Sequence, residues 1–215
     1  MSAAAAVPRS VLAVVAHPDD LEMMAGGAVA RWTHSGAAVH CITLTDGVWI
    51  TPDGRTMRDA HTAEREARAA AGILGHTVEH LGRPAMDLRF EDALVREVLA
   101  RVERLRPDTI LCPWDRDLHH DHEVAARVAI AASRRIPRVL MGQINPYLNE
   151  VFTPNLFVDI ATMWERKLAA LACYVSEWQR ARGQWEPFID DATRHYGHMV
   201  GVARAEGFVS RKFLL

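Results

Sequence analysis

The chain has 215 residues, 49% of them hydrophobic, and its 25 basic and 27 acidic side chains give a formal net charge of −2. That length allows one sizeable core, so we expect a single domain over residues 1–215, with a loose tail at 1–9. The balanced charge argues against a nucleic-acid partner, and the lack of a polybasic tract argues against a membrane surface.

Three cysteines, Cys41, Cys112 and Cys173, are widely spaced and odd in number. Cys41 and Cys112 lie in apolar runs, so we interpret them as buried thiols of a reduced compartment and not as a disulfide framework. The start of the chain lacks the charged segment of a signal peptide. The apolar stretch that ends at His17 is too short to cross a bilayer. A cytoplasmic location is therefore expected.

Apolar runs typical of buried strands alternate with amphipathic segments through the first two thirds of the chain. The predicted strands are 10–16, 38–44, 77–81, 109–113 and 138–142. The predicted helices are 21–35, 59–74, 91–105 and 120–134. Residues 48–58 are predicted as a loop with a turn at Pro52-Asp53-Gly54. This alternation predicts an α/β fold with a doubly wound, mostly parallel sheet and helices on both faces.

The last third of the sequence is less regular. Residues 145–155 fit a loop or an edge strand. Strands are predicted at 157–160 and 208–215, and helices at 162–175 and 188–206, the second of which is expected to end at Gly207. No internal repeat or linker interrupts the chain.

The segment Ala16-His17-Pro18-Asp19-Asp20-Leu21-Glu22 joins the first predicted strand to the first helix. In open α/β sheets, ligands bind outside the carboxyl ends of the strands, which is where this segment lies. His17 and Asp20 are three residues apart, so one helical turn can bring both to one side, as two ligands of a catalytic zinc site. Asp19 could then take a proton from a metal-bound water. The alternative is that an aspartate only caps the helix.

A second cluster, His119-His120-Asp121-His122, follows the predicted strand 109–113 in the same way. If the two strands are parallel, both clusters lie at the same edge of the sheet. His17, Asp20 and one histidine of the second cluster would then supply three protein ligands, and a catalytic zinc site leaves its fourth position for water. We expect His120 to face away from the metal.

Taken together, these motifs resemble the LmbE-like (PIG-L-type) N-acetylglucosaminyl deacetylases, whose pattern is AHPDDxE followed by GG and, about a hundred residues on, HxDH. The first motif with Gly26-Gly27 and the second motif both match. The further matching pieces are Thr45-Asp46-Gly47, the run from Glu66 to Gly75, Arg106-Pro107-Asp108, Val158-Asp159-Ile160 with Lys167, and Ala205-Glu206-Gly207-Phe208. The resemblance covers nearly the whole chain.

The resemblance implies a Rossmann-like fold and metal-dependent hydrolysis of an acetamide on a small N-acetylated sugar. It implies that His17, Asp20 and His122 are the metal ligands and that Asp19 is the general base. The implied metal is Zn2+, although Fe2+ or another divalent ion stays open. Neither a nucleic acid nor a membrane is an implied partner, and a homo-oligomer stays open.

The resemblance also implies roles around the reacting amide. His119 would stabilise the oxyanion and could protonate the leaving amine, a step that Asp19 could also perform. Asp121 would orient the His119 ring by a hydrogen bond. Arg83, Asp87 and Trp49 are candidate substrate contacts, because family members place an arginine and an aspartate in equivalent loops.

Other functions share parts of this pattern. Two histidines and one carboxylate also form the facial triad of Fe(II) oxygenases, although those enzymes are generally all-β barrels. A non-catalytic Rossmann-type binding module would be expected to carry a glycine fingerprint, which this sequence lacks. Within the family, an amidase of a thiol-sugar conjugate and a deacetylase of an antibiotic precursor stay open.

Three further features have two interpretations each. His195 and His198 form either a second metal pair or two polar positions of one helix, and we favour the latter. Glu22 either supports His17 or extends the acidic turn. Gly26 and Gly27 would weaken a helix, so either close packing or a backbone approach to the site must require them.

Overall fold

The computed structural model describes residues 7–145, 151–181 and 183–214. Its strands are β1 Ser10–Val15, β2 Ala38–Thr45, β3 Trp49–Ile50, β4 Thr56–Arg58, β5 Thr77–Arg83, β6 Thr109–Pro113, β7 Arg138–Gly142, β8 Leu156–Asp159 and β9 Ala205–Phe213. Its helices are α1 Asp20–His34, α2 Ala60–Leu74, α3 Asp92–Leu105, α4 His120–Ala132, α5 Trp164–Leu171, α6 Val175–Ala181 and α7 Trp185–Val200. The alternation predicted for the first two thirds is confirmed.

Seven strands form one sheet in the order β5-β2-β1-β6-β7-β9-β8. The strands β5, β2, β1, β6 and β7 pair in parallel, and β9 runs antiparallel to both β7 and β8. The predicted α/β fold with a mostly parallel sheet is therefore confirmed. The segment 48–58, predicted as a loop, also contains the short antiparallel hairpin β3–β4, whose two and three paired residues are too few to give a pattern.

Helices cover both faces of the sheet because alternate residues of the central strand point to opposite sides. Val11 and Val15 of β1 contact a core that also contains buried residues of α1, α2, α5 and α7. Leu12 and Val14 contact the second core, which α3 and α4 cover. A strand buried on both faces reads as a continuous apolar run, which is why β1 was recognisable in the sequence.

Both motif clusters lie where the chain reverses direction across the sheet. β1 lies between β2 and β6, so the chain first moves outward to β5 and then returns to the other side of β1. The crevice outside the carboxyl ends of two such neighbouring strands is the usual ligand site of an open α/β sheet. The first motif follows β1, the second follows β6, and they begin α1 and α4.

The two glycines of α1 are explained by close packing. A Cβ atom on Gly27 would lie 2.7 Å from Ile160, and one on Gly26 would lie 3.2 Å from Lys167. The backbone N–H of Gly27 donates to Glu206 at 2.9 Å, and Glu206 forms a buried ion pair of 2.5 Å with Lys167. The middle of α1 is thus held by residues from α5 and β9.

The helix boundaries predicted for the last third were wrong in two places. The predicted helix 162–175 is broken, since α5 ends at Leu171 and α6 begins at Val175. The predicted helix 188–206 is α7, which ends earlier because Gly201 adopts a left-handed φ of 76°. Gly207, expected to end a helix, lies within β9. Of the predicted segment 145–155, residues 146–150 lie outside the described residues, and 151–155 form no regular element.

None of the described helices combines the length and the apolar character needed to cross a bilayer.

Candidate metal centre and its cavity

The turn between β1 and α1 is organised by the carboxylate of Asp20. Its Oδ2 accepts the backbone N–H groups of Ala16 at 3.0 Å and His17 at 2.7 Å. These bonds close the turn and leave Oδ1 to face the ring of His17, at 3.6 Å from Nδ1. Asp20 is buried, so its charge requires partners of opposite sign nearby.

Three atoms from the two motifs converge on one point. His17 Nδ1 lies 3.1 Å from His122 Nε2, and His122 Nε2 lies 3.1 Å from Asp20 Oδ1. The third side of this triangle, from His17 Nδ1 to Asp20 Oδ1, is 3.6 Å. Ligand atoms placed tetrahedrally around zinc at ordinary bond lengths lie about 3.3–3.5 Å apart. The triangle therefore has the dimensions of three zinc ligands.

A second carboxylate stands behind each histidine ring. Asp121 Oδ2 lies 3.1 Å from His17 Nε2, and Asp117 Oδ2 lies 3.2 Å from His122 Nδ1. A carboxylate accepts a hydrogen bond from the protonated ring nitrogen that it faces, which fixes the tautomer. His17 is then left with a lone pair on Nδ1 and His122 with one on Nε2, the two nitrogens of the triangle. This carboxylate–histidine arrangement is typical of metal-ligating histidines.

The donor set fits a divalent cation, because three electron-rich atoms face one another in a buried site. Such a contact is repulsive unless a cation or a proton lies between the atoms. Burial lowers the pKa of His17, but the charge of Asp20 and the hydrogen bond to Asp121 raise that pKa to about 9. Burial likewise lowers the pKa of His122, while Asp20 and Asp117 raise it to about 10. The site thus attracts positive charge strongly.

His119 stands at the edge of this set. Together, nitrogens of His17, His119 and His122 lie within 4.8 Å of one another and could also hold a metal ion. Asp20 Oδ1 is closer to both of the other rings, however, so the triangle with Asp20 is the tighter set. His119 Nδ1 accepts the backbone N–H of Asp121 at 3.2 Å, which leaves Nε2 to carry the ring proton. Burial, and then the charges of His122 and His17, lower the pKa of His119 to about 4, which favours the neutral ring.

Asp19 is the N-cap residue that precedes α1, but its side chain makes no capping hydrogen bond. The nearest cation is Arg58, whose Nη1 lies 3.5 Å from Asp19 Oδ2 and 3.1 Å from Glu177 Oε1. Arg58 is itself fixed by donating from Nε to the carbonyl of Gly47 at 2.7 Å. Burial and the charge of Asp19 raise the pKa of Glu177. The buried guanidinium of Arg58 therefore pairs with both carboxylates. It holds Asp19 in the cavity wall that also contains the triangle.

The triangle lies in the wall of a cavity of about 640 Å3. His17, Asp19, Asp20, His119 and His122 all line it. Aromatic rings contribute another part of the wall, and polar side chains stand between them, as in many small-molecule sites. These further lining residues are Trp49, Trp185, Phe188, Asn145, Arg180 and Gln184.

Of the three candidate substrate contacts from the sequence, the structure places one in the cavity. Trp49 lines it, with the guanidinium of Arg180 at 5.5 Å from its ring centre. Arg83 and Asp87 do not line it, and their role as substrate contacts stays a prediction. Arg83 forms an ion pair with Glu97 of α3, and Asp87 forms an exposed pair with its neighbour Arg89.

The side chain of Asp121 contacts a histidine other than the predicted His119. Its carboxylate contacts His17 and accepts the backbone N–H groups of Met86 at 2.7 Å and Leu88 at 3.2 Å. Only its backbone N–H reaches His119, because the first turn of α4 directs the two side chains to different sides.

The suggestion that Glu22 supports His17 is not borne out by the contacts of Glu22, which lies between His76, at 3.1 Å, and Tyr174, at 3.0 Å.

Sequence reasoning did not identify four residues that the fold brings to the site. Arg58, Glu177 and Arg180 come from β4 and α6, whose sequences carry no motif, so only tertiary structure could reveal them. Asp117 could have been suspected, because it lies two residues before the second motif.

Three other histidines, His120, His195 and His198, lie outside the group that could hold a metal ion. Among residues 7–145, 151–181 and 183–214, His17, His119 and His122 are the group of three suited to a metal. His195 and His198 lie exposed on α7, and His120 Nε2 lies 2.8 Å from the carbonyl oxygen of Leu88. Because Leu88 offers only an acceptor there, the ring of His120 donates.

Comparisons with known proteins agree with this geometry. A family model described as PIG-L, GlcNAc-PI de-N-acetylase, matches residues 12–133. The chain is 30% identical to the diacetylchitobiose deacetylase of Thermococcus kodakarensis, over 96% of this chain and 85% of that protein. It is also 27% identical to the 4-oxalmesaconate hydratase of Pseudomonas putida, over 79% of this chain and 74% of that protein.

Solved structures show the same fold. The crystal structure of the conserved protein TT1542 from Thermus thermophilus superposes with a TM-score of 0.79 and 27% identity, covering 97% of this chain and 96% of that one. The family model spans both motif clusters and more than half of the chain. The chain therefore belongs to the PIG-L family, to which the sequence was expected to belong.

Proposed function

We propose that this protein is a metal-dependent N-deacetylase that hydrolyses the acetamido group of an N-acetylated amino sugar or sugar conjugate. The observation that carries the proposal is the triangle of His17 Nδ1, Asp20 Oδ1 and His122 Nε2, with Asp19 beside it. Three ligands leave a fourth position open, as in catalytic zinc sites. The diacetylchitobiose deacetylase among the relatives supports the choice of substrate class.

His17, Asp20 and His122 would hold the metal, most simply Zn2+, with Fe2+ or another divalent ion as the alternative. A zinc ion bound there lowers the pKa of a bound water to near 7 and polarises the amide carbonyl. Asp121 and Asp117 keep the two histidine rings in the tautomers that leave the required lone pairs.

The protein's own groups would then perform the proton transfers. Asp19 takes the proton of the attacking water as the new C–O bond forms. His119 donates from Nε2 to the carbonyl oxygen, which becomes negative, and such a donor is typically worth about 3–4 kcal/mol. When the C–N bond breaks, its electron pair goes to nitrogen, which takes the proton that Asp19 accepted from the water, either directly or through a His119 ring that has first gained that proton. Acetate and a free amine are the products.

The relatives also include a hydratase, which adds water to a carbon–carbon double bond and releases no acetate. The two reactions are distinguished by their products. Metal-stripped protein is incubated with a panel of N-acetylated sugars, including diacetylchitobiose, with and without zinc, and acetate and free amine are both quantified. Zinc-dependent release of equal amounts of the two supports the proposal. No release across the panel, together with hydration of an unsaturated dicarboxylic acid, would contradict it.

A further inference from the structure

Asn145 is a polar residue of the cavity wall for which the mechanism above has no role. It lies three residues beyond β7, is half-buried, and lines the cavity close to the second motif. Its Nδ2 lies 2.5 Å from Asp117 Oδ1 and 3.5 Å from His122 Nδ1. Asn145 is thus next to a proposed metal ligand, on the side of the ring that faces away from the metal.

The contact with Asp117 fixes the orientation of the Asn145 amide. The Asp117 oxygen that faces Asn145 also accepts the backbone N–H of His119 at 2.8 Å. Because that oxygen acts as an acceptor, the Asn145 atom that faces it is the NH2 group. The carbonyl oxygen Oδ1 therefore points to the other side. Within the described part of the chain, Oδ1 has no hydrogen-bond partner.

A secondary acetamide brings one N–H group into this cavity, and that group needs an acceptor once water is excluded. Its carbonyl oxygen is directed to the metal position and His119. The nearby carboxylates are engaged, since Asp20 completes the triangle and Glu177 is shared by two arginines. Asp19 must stay free to take the proton of the water. Asn145 Oδ1 is a neutral acceptor that is available without disturbing these groups.

We propose that Asn145 Oδ1 accepts the N–H of the scissile acetamide and so orients the amide for attack. This assignment rests on the deacetylase function proposed above. It makes Asn145 a determinant of selectivity for amides over esters. An acetate ester has no N–H, and its bridging oxygen would place a lone pair against the lone pairs of Oδ1.

The test compares two matched acetyl compounds, methyl 2-acetamido-2-deoxyglucoside and methyl 2-O-acetylglucoside, in the zinc-loaded protein. Asn145→Ala and the similarly shaped Asn145→Leu both remove the acceptor. We expect each variant to lower kcat/KM for the amide about tenfold and to change kcat/KM for the ester less than twofold. Gln184→Ala, which removes another amide from the cavity wall, is the control and should leave the ratio unchanged.

Zinc content is measured in every variant, because Asn145 also contacts Asp117 and His122. Equal losses for amide and ester would overturn the assignment and show that Asn145 acts through those two residues. An unchanged amide rate would overturn it as well, while leaving the deacetylase function intact. If the wild-type protein releases acetate from neither compound, the best amide of the panel above and its O-acetyl counterpart replace them. No release across that panel with zinc present, together with hydration of an unsaturated dicarboxylic acid, overturns both the assignment and the proposed function.

Discussion

Asp121→Asn tests whether the carboxylate behind His17 holds that ring for the metal. Asp121 is fully buried and accepts from His17 Nε2 and from the backbone N–H groups of Met86 and Leu88. An asparagine would replace one of its oxygens by an NH2 group, so at least one of these three donors would face another donor. Loss of a carboxylate behind a ligating histidine costs about 10–100-fold in metal affinity. Because the new NH2 group also leaves at least one buried donor without its acceptor, we expect the upper end, about 100-fold or 2.7 kcal/mol.

The assay is zinc competition against a chromophoric chelator of known affinity, with circular dichroism to confirm folding. Asp115→Asn is the matched control, since Asp115 lies four residues before the second motif and, among the described residues, its side chain pairs with the half-exposed Arg211, at 2.8 Å. That variant should change zinc affinity less than twofold. Unchanged zinc affinity in Asp121→Asn, with activity lost, would refute the reasoning and indicate that Asp121 acts through His119.

Three further outcomes are expected. Asp19→Asn should keep a full zinc complement by elemental analysis but lose about 10²–10⁴-fold in turnover, because the base is lost while the ligands remain, and near-normal turnover would exclude Asp19 as the base. Zinc at 100 times its Kd should raise Tm by about 5–10 °C, since it stabilises the folded state by about 2.7 kcal/mol, whereas His122→Ala should bind no zinc and show no rise. Gly27→Ala should destabilise the protein by about 1–3 kcal/mol in urea unfolding, because its Cβ would lie 2.7 Å from Ile160. Gly72→Ala, whose Cβ meets nothing within 4 Å, should instead stabilise it by about 0.5–1 kcal/mol, and equal effects of the two would contradict the packing argument.

The parts of the fold that could be predicted are those whose signals are local. The strand before His17 is buried on both faces, and that burial leaves an unbroken apolar run in the sequence. The end of α7 could not be read in the same way. That end depends on the left-handed conformation of Gly201. Gly207 is required for a different reason, because Pro154 packs against it and a Cβ atom added at position 207 would lie 2.9 Å from the proline. Both glycines look alike in a sequence.

The same distinction separates the predictable and unpredictable parts of the site. His17 and Asp20 come from one turn, and their spacing is enough to place them together. The second motif was expected at the same sheet edge because parallel strands end together. Arg58 and Glu177 meet Asp19 only after the hairpin and α6 have folded over the cavity, and no local pattern encodes that meeting. The side of α4 to which Asp121 points was likewise set by the loop that carries Met86.

The middle of α1 donates two backbone hydrogen bonds to Glu206, so the stability of the first helix depends on the last strand, β9. Glu206 accepts from Gly27 and Ala28, and it neutralises Lys167, which is buried with it. At ordinary rates of translation, residue 206 is synthesised about 10–40 s after residue 27. Until then, the N–H groups of Gly27 and Ala28 lack their acceptor, and Lys167 lacks its carboxylate partner from the time it is synthesised. The turn that carries the proposed metal ligands His17 and Asp20 therefore rests on an incompletely held helix. Zinc should therefore be captured after synthesis of the chain has passed β9, and not while the motif at its start is emerging.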